Sequence, residues 1–482
     1  MTTLEQIELV QPRTKRSLDW IYISSPRILL LRMVTCAMLL RALVVAFTFL
    51  SVAAPSRDFG QFGAEMGWVA RSLALGHGFS SPFFPGTGPT ALVPPLFPYL
   101  LAGVFRIWGL YTAKSALVIL LLDSLFSALT CIPIYLSLKD IAGEKPAQLA
   151  GWLWVVYPFA IYFSGTQVWD YALTSLLFAT CFYCSQRLHL QDHLSAWFGF
   201  GILYGITALS NPSVLSVLPF LFLTTLLKVR RVGGRWVVRG ALSSLALLLV
   251  IAPWALRNDR VMHAASPIRD GFWLEFWAGN AGDTSSSNPA WAHPATNPAE
   301  MQKFEAEGET TYLAQKHDLA VQAVHNHPFF FVITSIRRAV RFWTGFWSFR
   351  SNYLHMEPFD LPNVFFCTSI TFFMLRGLWR WWKEDPNHAL PYLILTALFP
   401  LTYYVTHTSM DYRQPIEPQI IILVAIGMFG FSDFNSSQDS SESPMLMESL
   451  PRQVRELIGS ADGHNAANRA GEHTPTRSTF SQ

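Results

Sequence analysis

Charged residues are scarce in this chain. Asp, Glu, Lys and Arg make up 14% of the 482 residues, whereas 51% are hydrophobic. Soluble globular proteins carry about 25% charged residues, so this composition excludes that class. Apolar runs of about 20 residues recur along the sequence, and each is long enough to cross about 30 Å of hydrocarbon. The sequence therefore predicts an all-α, polytopic membrane protein.

Cysteines, basic surface clusters and repeats are also few. The five cysteines all lie in apolar stretches, and Cys181 and Cys184 form one CxxC inside a predicted span. With no second pair nearby, we interpret them as buried thiols rather than as a metal or redox site. No basic–aromatic module stands out, so nucleic acid is not an expected partner. No internal repeat is evident, which argues against a transporter built from related halves.

The apolar runs divide the chain into three parts. A basic cytoplasmic N-terminus (1–27) precedes the membrane domain (28–432), and a Ser-rich cytoplasmic tail (433–482) is expected to be disordered. We place about ten transmembrane helices in the membrane domain, near residues 28–53, 113–138, 148–165, 171–187, 195–211, 213–227, 240–256, 363–380, 389–407 and 415–432.

Charge bias fixes the expected orientation. Residues 92–109 are apolar but contain three prolines and Arg106. If they crossed the membrane, the basic loop 228–239 would lie outside, against the positive-inside rule. We therefore predict that 92–109 is a re-entrant or interfacial helix. Both chain termini then face the cytoplasm, and residues 55–111 and 257–363 form two large outer loops.

A second ambiguous segment lies within the later outer loop. Residues 327–347 are apolar but carry Arg337, Arg338 and Arg341. Three arginines in the middle of a span would be costly. We predict a helix that lies in the membrane interface, and a further span is the alternative.

An acidic residue marks the first outer loop. Glu65 lies in a segment whose apolar residues recur at helical spacing, and Gly76 and Gly78 are expected to end that helix. The apolar stripe consists of Phe62, Met66, Val69 and Leu73. Such a helix would lie flat on the membrane with Glu65 at the edge of its buried face. A partly desolvated carboxylate has a raised pKa unless a cation compensates, and it suits a general base. A solvated interfacial acid is the alternative.

Two more candidates are expected on the same side. Asp170 lies in the short turn between the third and fourth predicted spans, and an N-cap role is its alternative. Arg413 precedes the last span, where a guanidinium could hold a lipid phosphate by a bidentate contact. Snorkelling at a helix end, or pairing with Glu417, is the alternative for Arg413.

Five segments together resemble a known family. They are AEMGWVARSLALGHGFS (64–80), PTALVPPLFPYLLAGVFRIWG (89–109), LSNPSVLSVLPFLFL (209–223), APWALRNDRV (252–261) and DYRQPIEPQIIILVA (411–425). In this order they are similar to glycosyltransferase family 39, within the wider GT-C class of membrane glycosyltransferases. The similarity extends to about residue 430, and it implies a GT-C-like bundle with interfacial helices in the outer loops.

The resemblance also implies a reaction and a set of residues. Members transfer a sugar from a polyprenyl-phosphate donor on the outer face of the membrane, with inversion. Glu65 matches the catalytic acid of the first outer loop, where relatives often carry Asp. Asp58, seven residues earlier, is a second catalytic candidate whose spacing fits less well. Asp170 matches the acid at the outer end of the third span.

The donor phosphate would be held by basic residues. Arg413 matches the second basic residue of an R-Y-R-x-P pattern, with Tyr412 beside it. Asp411 replaces the first, and Arg257, at the exit of the seventh span, could supply the missing charge. A divalent cation shared by Glu65 and Asp170 is a weaker expectation, because two acids do not make a tight cluster.

These expectations define the partners. They are a polyprenyl-phosphate sugar, a lipid, glycan or protein acceptor, and the bilayer of the inner membrane. Two alternatives remain, namely a flippase for a lipid-linked sugar and a non-catalytic protein that binds a polyprenyl lipid.

Overall fold

The computed structural model describes residues 25–53, 62–263, 266–281, 293–345 and 360–429. In these ranges the chain is helical, without a β-strand, so the predicted all-α class is confirmed. Most of the predicted N-terminal segment and the whole predicted tail lie outside the described residues.

The described α-helices follow one another closely. In chain order they are α1 (Pro26–Ala53), α2 (Ala64–Ala74), α3 (Leu96–Trp108), α4 (Ala113–Leu129), α5 (Cys131–Ala142), α6 (Glu144–Val155), α7 (Pro158–Thr166), α8 (Tyr171–Arg187), α9 (Leu194–Ser210), α10 (Leu218–Arg231), α11 (Trp236–Met262), α12 (Phe272–Asn280), α13 (Pro298–Glu307), α14 (Glu309–Asn326), α15 (Pro328–Thr344), α16 (Asp360–Glu384), α17 (Pro386–Leu398), α18 (Leu401–Val405) and α19 (Glu417–Phe429). Short 3-10 segments are Leu188–Leu190, Pro212–Ser216 and Asp411–Ile416.

Helices occupy all ten predicted spans. The stretches long and apolar enough to cross a membrane unaided are Pro26–Val52, Ala113–Ala142, Trp236–Met262, Leu361–Glu384 and Pro386–Val405. The other predicted spans are shorter or interrupted helices. The chain is therefore a multi-pass membrane protein, and the exact number of crossings stays a prediction.

An arginine satisfies the backbone carbonyl groups at one of the interruptions. The third predicted span breaks between α6 and α7, where Pro158 has no N–H to offer the preceding turn. Fully buried Arg41 of α1 donates to the carbonyl oxygens of Trp154 (3.3 Å) and Val155 (3.2 Å) at this break. It also donates to the Ser127 hydroxyl (2.9 Å). Irregular backbone inside a bundle is tolerated when its polar groups are satisfied in this way.

Small residues bring two spans together. A Cβ added at Gly201 of α9 would lie 2.2 Å from the carbonyl oxygen of Ser243 in α11, and one at Gly205 would lie 2.7 Å from Val250. Only glycine permits this approach. Small residues four positions apart are typical of such close helix contacts.

The predicted stripe on α2 faces the protein. Met66, Val69 and Leu73 are buried in an apolar cluster with Phe97 and Leu101 of α3. The helix ends at Ala74, just before the left-handed Gly76, as predicted. The packing of α2 on α3 therefore fixes the helix that carries Glu65.

The two predicted outer loops share a second apolar cluster. Phe83 and Leu92 of the first loop pack with Trp277, Phe304 and Tyr312 of the second. The rings of Phe83 and Phe304 meet edge to face with centroids 4.9 Å apart. This shared core places both loops on the same side of the bundle, which agrees with the prediction that both are outer loops.

Helix α15, in the ambiguous segment 327–347, exposes apolar side chains and buries an arginine, the reverse of a helix on a soluble protein. Its exposed face is largely apolar, with Phe329 76% and Ile336 59% exposed. Its inner face holds the buried Arg338, which donates to the Asn280 side chain (3.0 Å) and to the carbonyl oxygen of Val405 (3.2 Å). An apolar outer face with an inward arginine suits a helix in contact with lipid, and its interfacial placement stays a prediction.

Candidate active site

The backbone before Glu65 brings two parts of the site together. Gly63 (φ +86°) and Ala64 (φ +46°) both have left-handed geometry where α2 begins. A Cβ on Gly63 would lie 3.0 Å from the carbonyl oxygen of Val168. Glycine therefore allows the start of α2 to lie against the turn that ends at Asp170. Glu65 lies in the first turn of α2, where the helix dipole favours a negative charge.

Glu65 forms an ion pair with a histidine of the other outer loop. His293 Nε2 lies 2.9 Å from Glu65 Oε1, and the two side chains are only 21% and 17% exposed. The His293 ring also packs edge to face on Phe83, with centroids 5.1 Å apart. His293 was not among the candidates predicted from sequence. It joins the first outer loop to the second at the predicted base.

The ion pair changes the pKa of both partners. Burial raises the pKa of Glu65, but the hydrogen bond and charge of His293 outweigh it, so the pKa falls below its ordinary value of 4.5. Burial lowers the pKa of His293, and Glu65 raises it to above 6.5. Because His293 compensates, Glu65 is ionised rather than neutral at neutral pH.

Asp170 is completely buried. Its Oδ2 accepts hydrogen bonds from Asn211 Nδ2 (3.1 Å) and Thr174 Oγ1 (3.2 Å). It occupies the N-cap position of α8, but its side chain makes no capping hydrogen bond, which weakens the N-cap interpretation. Its Oδ1 has no hydrogen-bond partner among the described residues. Burial raises the pKa of Asp170 to about 6.

Arg269 supplies a positive charge to this group. It interacts electrostatically with both Glu65 and Asp170, and its Nη2 lies 3.9 Å from Glu275 Oε1. Its side chain is 34% exposed, so it is open to a ligand. Arg269 was also missed from sequence, because nothing in the segment SPIRDGF indicates which other elements it will meet.

A polar chain continues from Glu275 to a predicted phosphate ligand. His407 Nδ1 lies 3.4 Å from Glu275 Oε2, and His407 Nε2 is hydrogen-bonded to the Tyr412 hydroxyl at 2.6 Å. The Tyr412 ring stacks on Tyr403 with centroids 5.0 Å apart. The structure therefore brings Tyr412 to the same cluster as Glu65 and Asp170. The charge of Arg269 acts on all three of these side chains.

Arg413 lies deeper, in a buried ion pair. Its Nε donates to Glu417 Oε1 at 2.5 Å, and the two side chains are 3% and 1% exposed. Glu417 also accepts a hydrogen bond from the Tyr157 hydroxyl (2.7 Å). Asp411, two residues before Arg413, accepts a hydrogen bond from the Tyr171 hydroxyl. This geometry favours the pairing alternative for Arg413 over direct binding of phosphate.

Arg257 is bound to backbone. Its two terminal nitrogens donate to the carbonyl oxygens of Phe79 and Thr90, both at 2.6 Å. Its guanidinium also lies 5.0 Å from the ring centre of Trp254. These contacts hold the loop 79–90 in place, so Arg257 acts there as a structural residue. Asp58 lies outside the described residues.

The described residues do not fit a metal ion well. Nowhere in the described ranges do three or more His, Cys, Asp or Glu side chains come together as a metal cluster. Asp170 has one free oxygen and a second buried acid, Asp123, within electrostatic range, but no third ligand joins them. Glu65 is already paired with His293. The described residues therefore do not join Glu65 and Asp170 into a cation site.

Comparison with known proteins identifies the fold. Residues 92–256, about a third of the chain, match a family model described as dolichyl-phosphate-mannose-protein mannosyltransferase. The chain is also similar to the oligosaccharyltransferase AglB of Archaeoglobus fulgidus, in complex with an inhibitory peptide and a dolichol-phosphate. That likeness has a TM-score of 0.52 and 13% identity, and it covers 90% of this chain and 54% of AglB. The chain has the GT-C fold.

Further comparisons concern whole structures of lower similarity. The apo oligosaccharyltransferase of A. fulgidus gives a TM-score of 0.48 at 14% identity, covering 90% of this chain and 54% of that one. Apo ArnT from Cupriavidus metallidurans gives 0.33 at 14% identity, covering 85% and 80%. Comparison with curated proteins finds no significant match. The chain spans about half the length of AglB.

The matched segment covers only part of the candidate site. It includes Asp170 and ends one residue before Arg257. Glu65, Arg269 and His293 lie outside it, so their roles rest on the geometry described above.

Proposed function

We propose that this protein transfers a sugar from a polyprenyl-phosphate donor to an acceptor hydroxyl on the outer face of the inner membrane, with inversion. One observation carries the proposal. A largely buried and ionised carboxylate, Glu65, lies with Asp170 and the partly exposed Arg269 where both outer loops meet the helix bundle. The fold and the family match of residues 92–256 support a membrane glycosyltransferase.

The proposed chemistry follows from the charges. The acceptor oxygen attacks the anomeric carbon, the bond from that carbon to the phosphate oxygen breaks, and the acceptor proton passes to Glu65. The phosphate leaves with the electron pair, and Arg269 stabilises the added negative charge. Phosphate is a good leaving group, so no acid need protonate it. His293 keeps Glu65 ionised and therefore able to accept the proton.

Aromatic side chains connect this cluster to the surface of the bundle. Tyr171 lies beside Asp170, and its ring is 5.8 Å from the ring of Phe163, which is in turn 5.3 Å from Tyr162. Tyr162 is 52% exposed. An apolar surface beside the charged groups is what a lipid-linked donor needs, because its polyprenyl chain stays in the bilayer while its phosphate reaches the interface.

The test uses purified protein and a polyprenyl-phosphate sugar. We expect wild-type protein to release polyprenyl phosphate, and Glu65→Gln to abolish release while the protein stays folded and inserted, with only the modest fall in unfolding temperature that loss of the His293 ion pair causes. Glu305→Gln, which changes an exposed acid in the second outer loop, is the control and should retain activity. Near-normal turnover by Glu65→Gln would refute the base assignment. Movement of intact donor across liposomes, without release, would support a flippase instead.

A further inference from the structure

Two acidic side chains lie directly behind Arg269. Glu309, the first residue of α14, is 4% exposed, and its Oε1 accepts a hydrogen bond from the backbone N–H of Ala91 at 2.6 Å. The backbone N–H of Asp270 donates to the carbonyl oxygen of the same Ala91 at 3.1 Å. The two acids therefore clamp one residue of the first outer loop from two elements of the second.

The two carboxyl groups are also neighbours, and each has a buried oxygen without a donor. The side chains of Asp270 and Glu309 lie near enough to each other to form a hydrogen bond if one of them carries a proton. Glu309 Oε2 and Asp270 Oδ1 are buried and receive no hydrogen bond from an N–H or O–H donor of the described residues. A bond between two carboxyl groups requires one proton, because two carboxylates at contact distance cannot both be ionised.

The surroundings favour retention of that proton. Burial raises the pKa of Asp270 to about 6, against the opposing charges of Arg269 and Arg257. Burial, followed by the charge of Asp270, raises the pKa of Glu309 well above its usual value. Among the described residues, Arg257 of α11 and Arg269 of the acids' own loop place positive charge near the pair, and the neutral side chain of Thr90 lies beside Glu309.

The pair sets the position of Arg269. Asp270 follows it directly, and a Cβ at Gly271 would lie 2.9 Å from Arg269 Nη2 and 3.3 Å from the carbonyl oxygen of Leu92. The guanidinium therefore lies over Gly271, close to the segment around Ala91 and Leu92 that Glu309 and Asp270 contact. A shift of this segment would move Arg269 away from Glu65 and Asp170.

We propose that Glu309 and Asp270 are positioning residues that share one proton and thereby hold Arg269 in place for the donor phosphate. The role of Arg269 rests on the proposed function above. Loss of the shared proton leaves two adjacent buried anions, which repel each other and loosen the contact with Ala91. Binding of the donor phosphate is therefore expected to weaken as pH rises through the dissociation of the pair.

Glu309→Gln separates this role from simple structural support. The amide keeps an oxygen for the Ala91 N–H and offers an N–H to Asp270, but it has no proton to lose. The measurement is the dissociation constant for polyprenyl phosphate in detergent micelles from neutral to alkaline pH. We expect wild-type affinity to fall about tenfold across this range, the scale of one disrupted hydrogen bond to a charged group, and Glu309→Gln affinity to stay constant.

Two further variants define the outcome. Asp270→Asn should also remove the alkaline loss, because an amide then donates to Glu309, whereas Glu309→Ala should bind weakly at every pH. Glu305→Gln, exposed on α13, should follow the wild type. Parallel pH profiles for wild type and Glu309→Gln would overturn the proposal.

A second readout needs no donor. The unfolding temperature of the wild type in the same detergent should fall as pH rises, and that of Glu309→Gln should not. If the wild type binds no polyprenyl phosphate at any pH, the proposed function fails, while the unfolding profiles still test the proton-sharing pair. Equal pH dependence of unfolding in both proteins would reject the pair whatever the donor result.

Discussion

Replacement of His293 should shift the acid side of the pH–rate profile. His293→Ala removes the hydrogen bond and the charge that hold the Glu65 pKa below its ordinary value. A hydrogen bond to a charged group contributes about 1.5–3 kcal/mol, and the two side chains are shielded enough from water for most of it to be felt. At about 1.4 kcal/mol per pKa unit, the Glu65 pKa should rise by about 1–2 units.

The direction of this effect is fixed by which form of Glu65 reacts. A general base works only when ionised, so a higher pKa confines activity to higher pH. We expect the acid limb of kcat/KM for sugar transfer to move up by about 1–2 pH units. The plateau at alkaline pH should change little, since the carboxylate is still present. His293→Gln keeps a hydrogen-bond donor but carries no charge. The acid limb of its kcat/KM profile should therefore move less than that of His293→Ala.

The same pair makes a matching prediction for stability. The pKa of Glu65 is lowered in the fold, so its contribution is present above the unfolded value and is lost as pH falls. The pKa of His293 is raised, so its contribution to stability is present below about 6.5 and is lost as pH rises through the folded value.

His325→Ala, which replaces an exposed histidine of the second outer loop, is the control for His293→Ala. An acid limb that does not move in His293→Ala would refute the compensation argument.

Three other predictions follow from the site. Arg269→Ala should raise the donor KM about 10- to 100-fold with unchanged unfolding temperature, whereas an unchanged KM would assign the phosphate elsewhere. Asp170→Asn should remove any ionisation near pH 6 from the pH–rate profile, because burial places the Asp170 pKa at about 6; persistence of that ionisation would contradict its assignment. Arg413→Met should destabilise the protein by about 3–5 kcal/mol, since Glu417 is left buried without its partner, and Arg413→Met with Glu417→Leu should recover much of the loss in thermal unfolding.

Much of the fold could be predicted from local patterns. Apolar length located helices in all ten predicted spans, and the glycines after Leu75 correctly marked the end of α2. The spacing of four between Gly201 and Gly205 is a local pattern typical of close helix packing, and the structure shows that contact. These features depend on residues close together in sequence, so the sequence alone carries them. The break that Arg41 repairs was not predicted, because its partners are more than a hundred residues away.

The site was predictable only in part. Glu65 and Asp170 stand out because an acid beside a span is unusual, and both lie in the observed cluster. His293 and Arg269 lie in a polar loop where charge is ordinary, and only the shared core of the two outer loops brings them to Glu65. The Arg413–Glu417 spacing of four residues already allowed an ion pair, and that alternative matches the geometry.

The division between scaffold and site has a consequence for specificity. The matched segment 92–256 supplies the helices that hold Asp170, but Glu65, Arg269 and His293 come from the outer loops. Related folds carry different activities when loops at a fixed scaffold differ. Because Glu65, His293 and the partly exposed Arg269 are brought together by contact between the two loops, the proposed function predicts that changes at the loop junction alter donor and acceptor choice. Changes among the membrane helices, such as at Arg41, should instead reduce stability without changing that choice.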